Sequence, residues 1–214
     1  MRELLSLNKE ILGEACGIFA GDGSLYSTKR SYVLEVRSNE KELYYYVHYV
    51  KPIFEKLFLK NLKIIKRSYP GGYVIGIRVC GKEAARIFNA LLEFPIGRKS
   101  HRVKIPQVIL NNSEYWKPYA RGIFDTDGSV YLRATGRKYK NPVIDIASRS
   151  IEHLLQLKEI MRDLGFHMWL ERSNFKIRMA GWKNMERFFK DINPHNNTKV
   201  EKYEKMIATR NKLM

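Results

Sequence analysis

The chain carries one short segment twice, and this repeat constrains the fold more than any other feature of the sequence. Residues 17–26 read GIFAGDGSLY and residues 122–131 read GIFDTDGSVY, so seven of the ten positions are identical. The copies are offset by 105 residues in a chain of 214. Internal similarity at a fixed offset indicates one structural unit written twice. We therefore predict two similar halves, residues 1–107 and 108–214, with a polar joint near 106–113.

Each copy ends a segment whose apolar residues have the spacing of a helix. Pro118 suits a first helical position in the second copy. Glycine recurs at every fourth residue of the first copy, and each glycine inside a helix costs about 1 kcal/mol relative to alanine. Such a stripe favours close contact with a second backbone, so we predict that two helices pack together and end side by side at Asp22 and Asp127. The predicted helix-interface glycines are Gly13, Gly17 and Gly122.

Strand patterns follow each copy in the same order. Residues 32–37 and 142–147 alternate between apolar and polar side chains, with the period of two that is typical of β-strands. A helix, a second hairpin and a short amphipathic helix come next in both halves. Each half therefore reads αββαββα. The predicted fold class is α+β, with a four-stranded antiparallel sheet in each half and a pseudo-twofold axis between the halves.

The formal net charge is +17, of which +9 comes from residues 1–107 and +8 from residues 108–214. An excess shared by both halves indicates a long basic surface for a polyanion, either nucleic acid or an acidic membrane surface. No run of about 18 uncharged apolar residues is present, so no membrane span is predicted. Cys16 and Cys80 lie among apolar or small residues and are expected to be buried thiols in a reducing compartment. We expect an intracellular, cytoplasmic protein, with an organellar host left open.

Residues 15–23 and 120–128, which read ACGIFAGDG and ARGIFDTDG, resemble the LAGLIDADG motif. With two such motifs and matching strand patterns, the whole chain resembles a single-chain, two-motif LAGLIDADG homing endonuclease of the intron-encoded type. The resemblance implies two αββαββα halves packed through the motif helices, with both sheets forming a saddle over a long site on double-stranded DNA. It also implies a monomer that hydrolyses both DNA strands with two or three divalent cations, normally Mg²⁺, while Mn²⁺ or Ca²⁺ substitutes in binding.

The resemblance assigns roles to residues by motif position. The sixth motif position holds Ala20 in one copy and Asp125 in the other. It is not a ligand position in the family, so this departure does not imply inactivation. The implied metal ligands are Asp22 and Asp127, with the backbone carbonyls of Gly21 and Thr126.

Basic loops at residues 97–103 and 197–200 resemble the family's loops that carry an active-site lysine. An ordinary solvated lysine is the alternative at both places. Two further positions, at the ends of the second strands, match places where the family often carries a polar or basic residue near the scissile phosphates, and asparagine is a poor substitute for a cation there. The implied catalytic residues are Asp22, Asp127, Lys99, Lys199, Arg149 and Asn39.

These residue types suit phosphodiester hydrolysis. Mg²⁺ prefers oxygen ligands and usually takes only one or two carboxylates from a protein. A helix C-terminus adds free carbonyls and the negative end of its dipole, and cations beside the attacking and leaving oxygens supply much of the charge stabilisation. Two equivalent acids at a dyad can serve two antiparallel strands. Lys99 and Lys199 would offset charge on the phosphate or polarise water.

Basic side chains on the polar faces and hairpins of both sheets are the predicted DNA contacts. A two-stranded ribbon fits the major groove, where arginine reads guanine bidentately, whereas basic loops mostly hold phosphates. For any one of these residues, a solvated face without DNA contact is the alternative. The predicted contacts are Lys29, Arg30, Arg37, Arg67, Arg78, Arg133, Arg137, Lys138, Arg172, Lys176 and Arg178.

Two other functions stay open on the same scaffold. One is an intron maturase that binds the RNA of its host intron, and the other is a DNA-binding protein without catalysis. An acid in both copies favours the nuclease, since a non-catalytic regulator would not need both Asp22 and Asp127.

Four tyrosines could stack on bases, as in proteins that bind single strands. Their place on a predicted helix behind the sheet favours packing in the core instead. They are Tyr44, Tyr45, Tyr46 and Tyr49.

Overall fold

Each half of the chain folds into helices and strands in the same order. The computed structural model describes residues 8–135, 139–173 and 175–211. The first half contains α1 (Lys9–Asp22), β1 (Gly23–Ser27), β2 (Tyr32–Asn39), α2 (40–58), β3 (Ile65–Tyr69), β4 (Gly72–Cys80) and α3 (82–91). The second half contains α4 (Gln107–Leu110), α5 (Trp116–Asp127), β5 (Gly128–Thr135), β6 (Tyr139–Ala147), α6 (Ile151–Asp163), β7 (Trp169–Leu170), β8 (Lys176–Ala180), α7 (Trp182–Ile192) and α8 (Asn197–Asn211).

The strands of each half form one antiparallel sheet. The strand order is β1-β2-β4-β3 in the first sheet and β5-β6-β8-β7 in the second. The register is equivalent as well, because Gly23 pairs with Val36 and Gly128 pairs with Ile146 directly after each motif helix. The predicted α+β fold with two four-stranded antiparallel sheets is confirmed.

Two helices lie outside the predicted pattern. Helix α4 falls in the polar joint between the halves, and its four residues are too few to show a helical period. Helix α8 is largely polar, with Met206 as its buried residue, so it also lacks a clear apolar stripe. Among the described residues, no helix combines the length and the apolarity that crossing a membrane requires.

Helices α1 and α5 pack with their backbones in contact. A Cβ atom added to Gly17 would lie 2.8 Å from the backbone nitrogen of Ile123, and one added to Gly122 would lie 2.8 Å from that of Ile18. Gly13 is equally crowded by the opposite helix. Because real Cβ atoms essentially never approach within 3.0 Å, a side chain at these places would force the helices apart. The structure thus places all three predicted interface glycines at the helix contact.

The repeated phenylalanine of each motif anchors its helix to its own half. The ring centroid of Phe19 lies 4.5 Å from that of Phe88 and 4.7 Å from that of Phe94. At the corresponding place in the second half, the ring centroid of Phe124 lies 4.8 Å from that of Phe188. All five rings are buried, and aromatic pairs of this kind add to the stabilisation from burial alone. Core packing therefore explains why phenylalanine occurs in both copies of the repeat.

The two cysteines occupy different environments. Cys16 is buried in α1, as expected, but Cys80 is exposed at the end of β4. Alternation along β4 puts Cys80 on the same face as Arg78, which is the polar face of the sheet. The prediction that Cys80 is a buried thiol is wrong, because its apolar neighbours in sequence point to the opposite face.

His153 is fully buried in α6 and makes stability depend on pH. Its Nε2 lies 2.7 Å from the Tyr119 hydroxyl oxygen. Burial, followed by the nearby charge of Lys99, lowers the pKa of His153 from 6.5 to about 3. The unfolded chain therefore binds this proton first, so the contribution of His153 to stability is lost as pH falls from about 6.5 towards 3, whereas Asp22 and Asp125, whose pKa values are raised to about 7, act in the opposite direction. At about pH 5 the expected loss from His153 alone is ~2 kcal/mol, from ~1.4 kcal/mol for each pH unit.

Urea unfolding of the wild type and of His153→Gln at about pH 7.5 and pH 5 isolates this contribution. The variant keeps a polar atom near Tyr119 but does not titrate, so at pH 5, relative to pH 7.5, its free energy of unfolding should gain ~2 kcal/mol over that of the wild type. Equal changes in both proteins would show that His153 does not contribute.

Candidate active site

Asp22 and Asp127 end the two motif helices and lie at their contact. A Cβ atom added to Gly21, beside Asp22, would lie 3.3 Å from Asp127 Oδ2 and would collide with the Thr126 side chain. Both helices end here, where the last carbonyl groups have no partner within the helix, so two carboxylates and two negative helix ends share one location. Such a concentration of negative charge is stabilised by a cation.

The pKa values of both acids reflect this crowding. Burial, and then the charge of Asp127, raises the pKa of Asp22 to about 7, while a hydrogen bond from Tyr46 opposes the rise. The Tyr46 hydroxyl donates this bond to Asp22 Oδ2 at 2.9 Å. Burial also raises the pKa of Asp127, and Lys99 and Lys199 oppose that rise. Both acids therefore bind protons more tightly than free aspartates, and a cation beside them favours their charged form.

Two lysines place their ammonium groups on the last carbonyls of the motif helices. Lys99 Nζ donates to the Gly21 carbonyl at 2.6 Å and also to the preceding carbonyl of Ala20. Lys199 Nζ donates to the Thr126 carbonyl at 2.9 Å and to that of Phe124 at 2.6 Å. The contacts with Gly21 and Thr126 are equivalent in the two halves, whereas the second acceptors are at different motif positions. The sequence alone does not predict these contacts.

Burial lowers the pKa of Lys99 to about 8, although Asp127 and Asp22 oppose the fall. Burial likewise lowers the pKa of Lys199. Ammonium groups held in this way occupy places suited to cations, at carbonyls that the resemblance assigns to metal binding. The donor set of two carboxylates and two carbonyls is all oxygen, which is the chemistry that Mg²⁺, Mn²⁺ and Ca²⁺ accept. The residues present therefore fit divalent cations.

Tyr46 and Glu42 belong to the site but were missed by sequence reasoning. Both come from α2, where helical spacing and apolar neighbours indicate core packing. Of the four tyrosines, Tyr45 and Tyr46 are buried, Tyr49 is half-buried and Tyr44 is exposed. The wide π turn that starts at Tyr46 shifts the phase of α2 at this point, and turns of this kind are frequent at functional sites. No motif in the sequence marks Tyr46 as part of the site.

Asp125, at the sixth motif position, supports the loop that carries Lys199. Its Oδ2 atom accepts a hydrogen bond from the His195 backbone nitrogen at 2.8 Å, and its backbone carbonyl accepts one from Asn196 Nδ2 at 2.8 Å. His195 Nδ1 in turn lies 2.9 Å from Glu14 Oε1. Glu14, Asp125 and His195 bring ligand atoms within 4.8 Å of one another, but these contacts already link α1, α5 and the loop before α8.

The two predicted residues at the strand ends have different surroundings. Arg149 is exposed and lines a cavity of about 700 Å³ together with Lys99, Asp127 and Lys176. Asn39 is also exposed, but its Oδ1 atom accepts a hydrogen bond from the Lys41 backbone nitrogen at 2.9 Å and caps the start of α2. The structure therefore brings Arg149 to the site, whereas the side chain of Asn39 is used in a helix cap.

A buried acid lies at the centre of the polar face of the first sheet. Glu35 is 2% exposed. Its carboxylate contacts Arg37 Nε at 3.3 Å, Arg67 Nη2 at 3.1 Å and Arg78 Nε at 2.6 Å. One carboxylate thus orients three of the predicted DNA contacts, which keeps their guanidinium groups together on this face.

The second sheet repeats this arrangement around Asp145, which occupies the register position of Glu35. Asp145 Oδ2 lies 3.2 Å from Lys176 Nζ and 3.3 Å from Arg178 Nη2, and Arg178 Nη1 also lies 2.9 Å from Glu171 Oε1. Arg178 is 8% exposed and paired with two carboxylates. Its guanidinium is therefore largely covered, in contrast to the more exposed arginines around Glu35, and its contact with DNA stays a prediction.

The other predicted DNA contacts lie in two groups. Four are exposed, on the first hairpin of each half and after β7, and two lie outside the described residues. The exposed residues are Lys29, Arg30, Arg133 and Arg172. The residues outside the described ranges are Arg137 and Lys138.

Replacing Glu35 with glutamine should raise the affinity of the protein for DNA of unrelated sequence. The change removes the charge that partly compensates three guanidinium groups, so these groups attract phosphates more strongly. The slope of log K against log salt concentration should steepen by about 0.9 for each additional phosphate that the protein neutralises. Fluorescence anisotropy with a labelled duplex over a salt series measures the slope. Glu83→Gln, which removes an exposed acid on α3, is the control, and equal slopes for the two variants would refute the role of Glu35.

Two family models match the chain, one in each half. Residues 14–79 match the WhiA LAGLIDADG-like domain, and residues 119–193 match the LAGLIDADG-like domain. Together these matches span about two thirds of the chain. A search of curated protein sequences finds no match.

Several solved structures share the fold. I-DmoI in complex with DNA and Ca has a TM-score of 0.59 and 16% identity, with 86% of this chain and 89% of that chain covered. I-WcaI bound to its DNA recognition sequence has a TM-score of 0.57 and 16% identity, with 93% and 89% covered. I-SmaMI bound to an uncleaved DNA target with calcium ions has a TM-score of 0.60 and 11% identity, with 97% and 93% covered.

Paired motif helices, each followed by a four-stranded antiparallel sheet, define the fold class of the LAGLIDADG homing endonucleases. The two family matches each include one motif and its acid, Asp22 in the first half and Asp127 in the second. The chain belongs to the LAGLIDADG family.

Proposed function

We propose that the chain is a monomeric, site-specific homing endonuclease that hydrolyses both strands of a long double-stranded DNA target and depends on Mg²⁺. The observation that carries this proposal is the pairing of Asp22 and Asp127 at the helix ends, with a half-buried lysine on each side. A protein that only binds DNA needs neither acid, and placing two repelling carboxylates in partly buried positions opposes folding. Their presence in both halves favours catalysis on two strands.

Asp22, Asp127 and the carbonyls of Gly21 and Thr126 would hold divalent cations. When bound, these cations supply Lewis-acid stabilisation of the charge that develops on the phosphate and help to activate water. Tyr46 orients Asp22 through its hydrogen bond. Lys99 and Lys199 contact carbonyls at the ends of the motif helices, and Arg149 lines the cavity that reaches Asp127. We assign these three cationic side chains to the scissile phosphates.

The basic face of each sheet would bind the DNA on either side of the centre. The net charge of +17 supports electrostatic attraction to a duplex. The guanidinium groups around Glu35 are held in place before DNA arrives, which reduces the entropy cost of binding. In the similar structures, I-WcaI is bound to its DNA recognition sequence and I-DmoI to DNA with Ca or with Mn. These neighbours support a duplex as the partner and a divalent cation as the cofactor.

The test is cleavage of a supercoiled plasmid library that carries fragments of genomic DNA. With Mg²⁺, the protein should linearise a small subset of plasmids at one site, and sequencing of the ends should return one shared target. EDTA should stop the reaction, and Mn²⁺ should restore it. A protein that binds the library but never cuts it would be a non-catalytic DNA-binding protein, and selective binding to an intron transcript would favour the maturase.

A further inference from the structure

The two sides of the candidate active site are not equivalent, although the fold around them is nearly symmetric. On one side, Lys99, Ser148, Arg149 and Lys176 line the cavity of about 700 Å³ that also reaches Asp127. We call this side the open flank. On the other side, Glu42 accepts hydrogen bonds from both Ser38 and Asn196. We call this side the closed flank.

The closed flank is held by a chain of hydrogen bonds across three elements. Asn196 Nδ2 donates to Glu42 Oε1 at 2.8 Å and to the Asp125 carbonyl at 2.8 Å. The Ser38 hydroxyl also donates to Glu42. Glu42 thereby connects the end of β2 to the last turn of α5 and to the loop before α8. Entry of a phosphate on this side must displace or rearrange that chain.

In the second half, the residue equivalent to Glu42 lies outside the site. Val36 and Ile146 occupy the same register position, opposite Gly23 and Gly128. Counting six residues onwards from each gives Glu42 in the first half and Glu152 in the second. The Glu152 side chain is 51% exposed and lies 2.8 Å from Lys104 Nζ, on the surface. The same residue type at the same position therefore enters the site in one half only.

The two flanks also differ in charge, and the open flank is the more positive of the two. The open flank presents Lys99, Arg149 and Lys176, of which Lys176 is paired with Asp145, whereas on the closed flank the charge of Lys199 is opposed by the carboxylate of Glu42. Glu42 is close enough to both acids to raise the pKa of Asp22 and of Asp127. A phosphodiester carries a negative charge, so it is attracted more strongly to the open flank than to the closed one.

We propose, building on the endonuclease function above, that the two DNA strands are cut in a fixed order. The strand whose scissile phosphate enters the open flank is cut first, and Glu42 delays cleavage of the other strand. Glu42 is thus a positioning residue that sets the ratio of the two strand-cleavage rates. A plasmid nicked in one particular strand is the expected intermediate.

The experiment measures the cleavage rate of each strand separately, on a linear duplex that carries a different fluorescent label on each 5′ end. A supercoiled plasmid with the same target is followed in parallel. The wild type should cut one strand at least about tenfold faster, which corresponds to ~1.4 kcal/mol in activation free energy, and nicked circles should accumulate. Glu42→Gln keeps the shape of the side chain but removes its charge. This variant should reduce the ratio of the two strand-cleavage rates several-fold, because the slowly cut strand is then cut faster. Glu152→Gln should leave the ratio unchanged. Arg149→Ala should slow the fast strand selectively.

The strand ratio separates this role from a merely structural one, since loss of folded protein lowers both rates equally. Equal strand rates in the wild type would overturn the proposal and leave the endonuclease function intact. A Glu42→Gln variant that changes both rates by the same factor would also overturn it. If the wild type cuts no plasmid at all, the endonuclease function and the strand order fail together.

Discussion

Replacing Asp22 or Asp127 with asparagine is expected to abolish double-strand cleavage while DNA binding persists. Each acid would supply a charged oxygen ligand, and asparagine keeps an oxygen but loses the charge that holds a divalent cation. Losses of about a hundredfold to a thousandfold in rate are typical when one stabilising group of this kind is removed. In the Asp22→Asn variant the amide oxygen would still accept the hydrogen bond from Tyr46, so this variant should fold.

Plasmid linearisation measures this rate, and fluorescence anisotropy in Ca²⁺ measures binding on the same target. Asp163→Asn is the control, because it removes an exposed acid at the end of α6, outside the site. Its cleavage rate should match that of the wild type. If Asp22→Asn and Asp127→Asn both cut normally, the assignment of these residues to metal binding is wrong.

A second large effect is expected at the contact of the motif helices. Gly122→Ala places a Cβ atom 2.8 Å from the backbone nitrogen of Ile18 and in collision with the Glu14 carbonyl. Backbone atoms of α1 cannot rotate away as a side chain would, so the two helices must separate. We expect the free energy of unfolding to fall by about 3 kcal/mol or more, at the upper end of overpacking changes.

Gly97→Ala is the matched control for this variant. Gly97 has a φ of +83° and no atom within 4 Å of an added Cβ, so alanine there has space but an unfavourable backbone conformation. Its expected cost is about 1 to 2 kcal/mol. Urea unfolding of both variants gives the comparison, and failure of Gly122→Ala to fold is the extreme of the expected result. A smaller loss for Gly122→Ala than for Gly97→Ala would contradict the close contact.

Movement of the helices also links this variant to the active site. Asp22 and Asp127 end the same two helices, so a separation at Gly122 moves the carboxylates that the cation would join. The fold and the site are therefore stabilised by one contact.

Periodicity predicted the local elements well because it records which side of each element faces the core. Leu34 and Val36 alternate with Glu35 on β2, and the structure buries the first two against the helices. The same reasoning assigns Arg178 to the polar face of its sheet but does not say which charges it meets there. Asp145 and Glu171 pair with that guanidinium, and no pattern within one strand shows both.

The amino-acid sequence by itself determined the two halves, their antiparallel sheets and the meeting of Asp22 with Asp127. It did so because the repeat fixes equivalent positions and the glycine stripe permits only a close helix contact. The tertiary structure alone decided which side chains surround those acids: Tyr46 on Asp22, the ammonium groups on the last carbonyls, and Glu42 on one flank only. These contacts join residues that are far apart in the chain, and helical or strand periods extend only over neighbouring residues. Packing between elements therefore decided them.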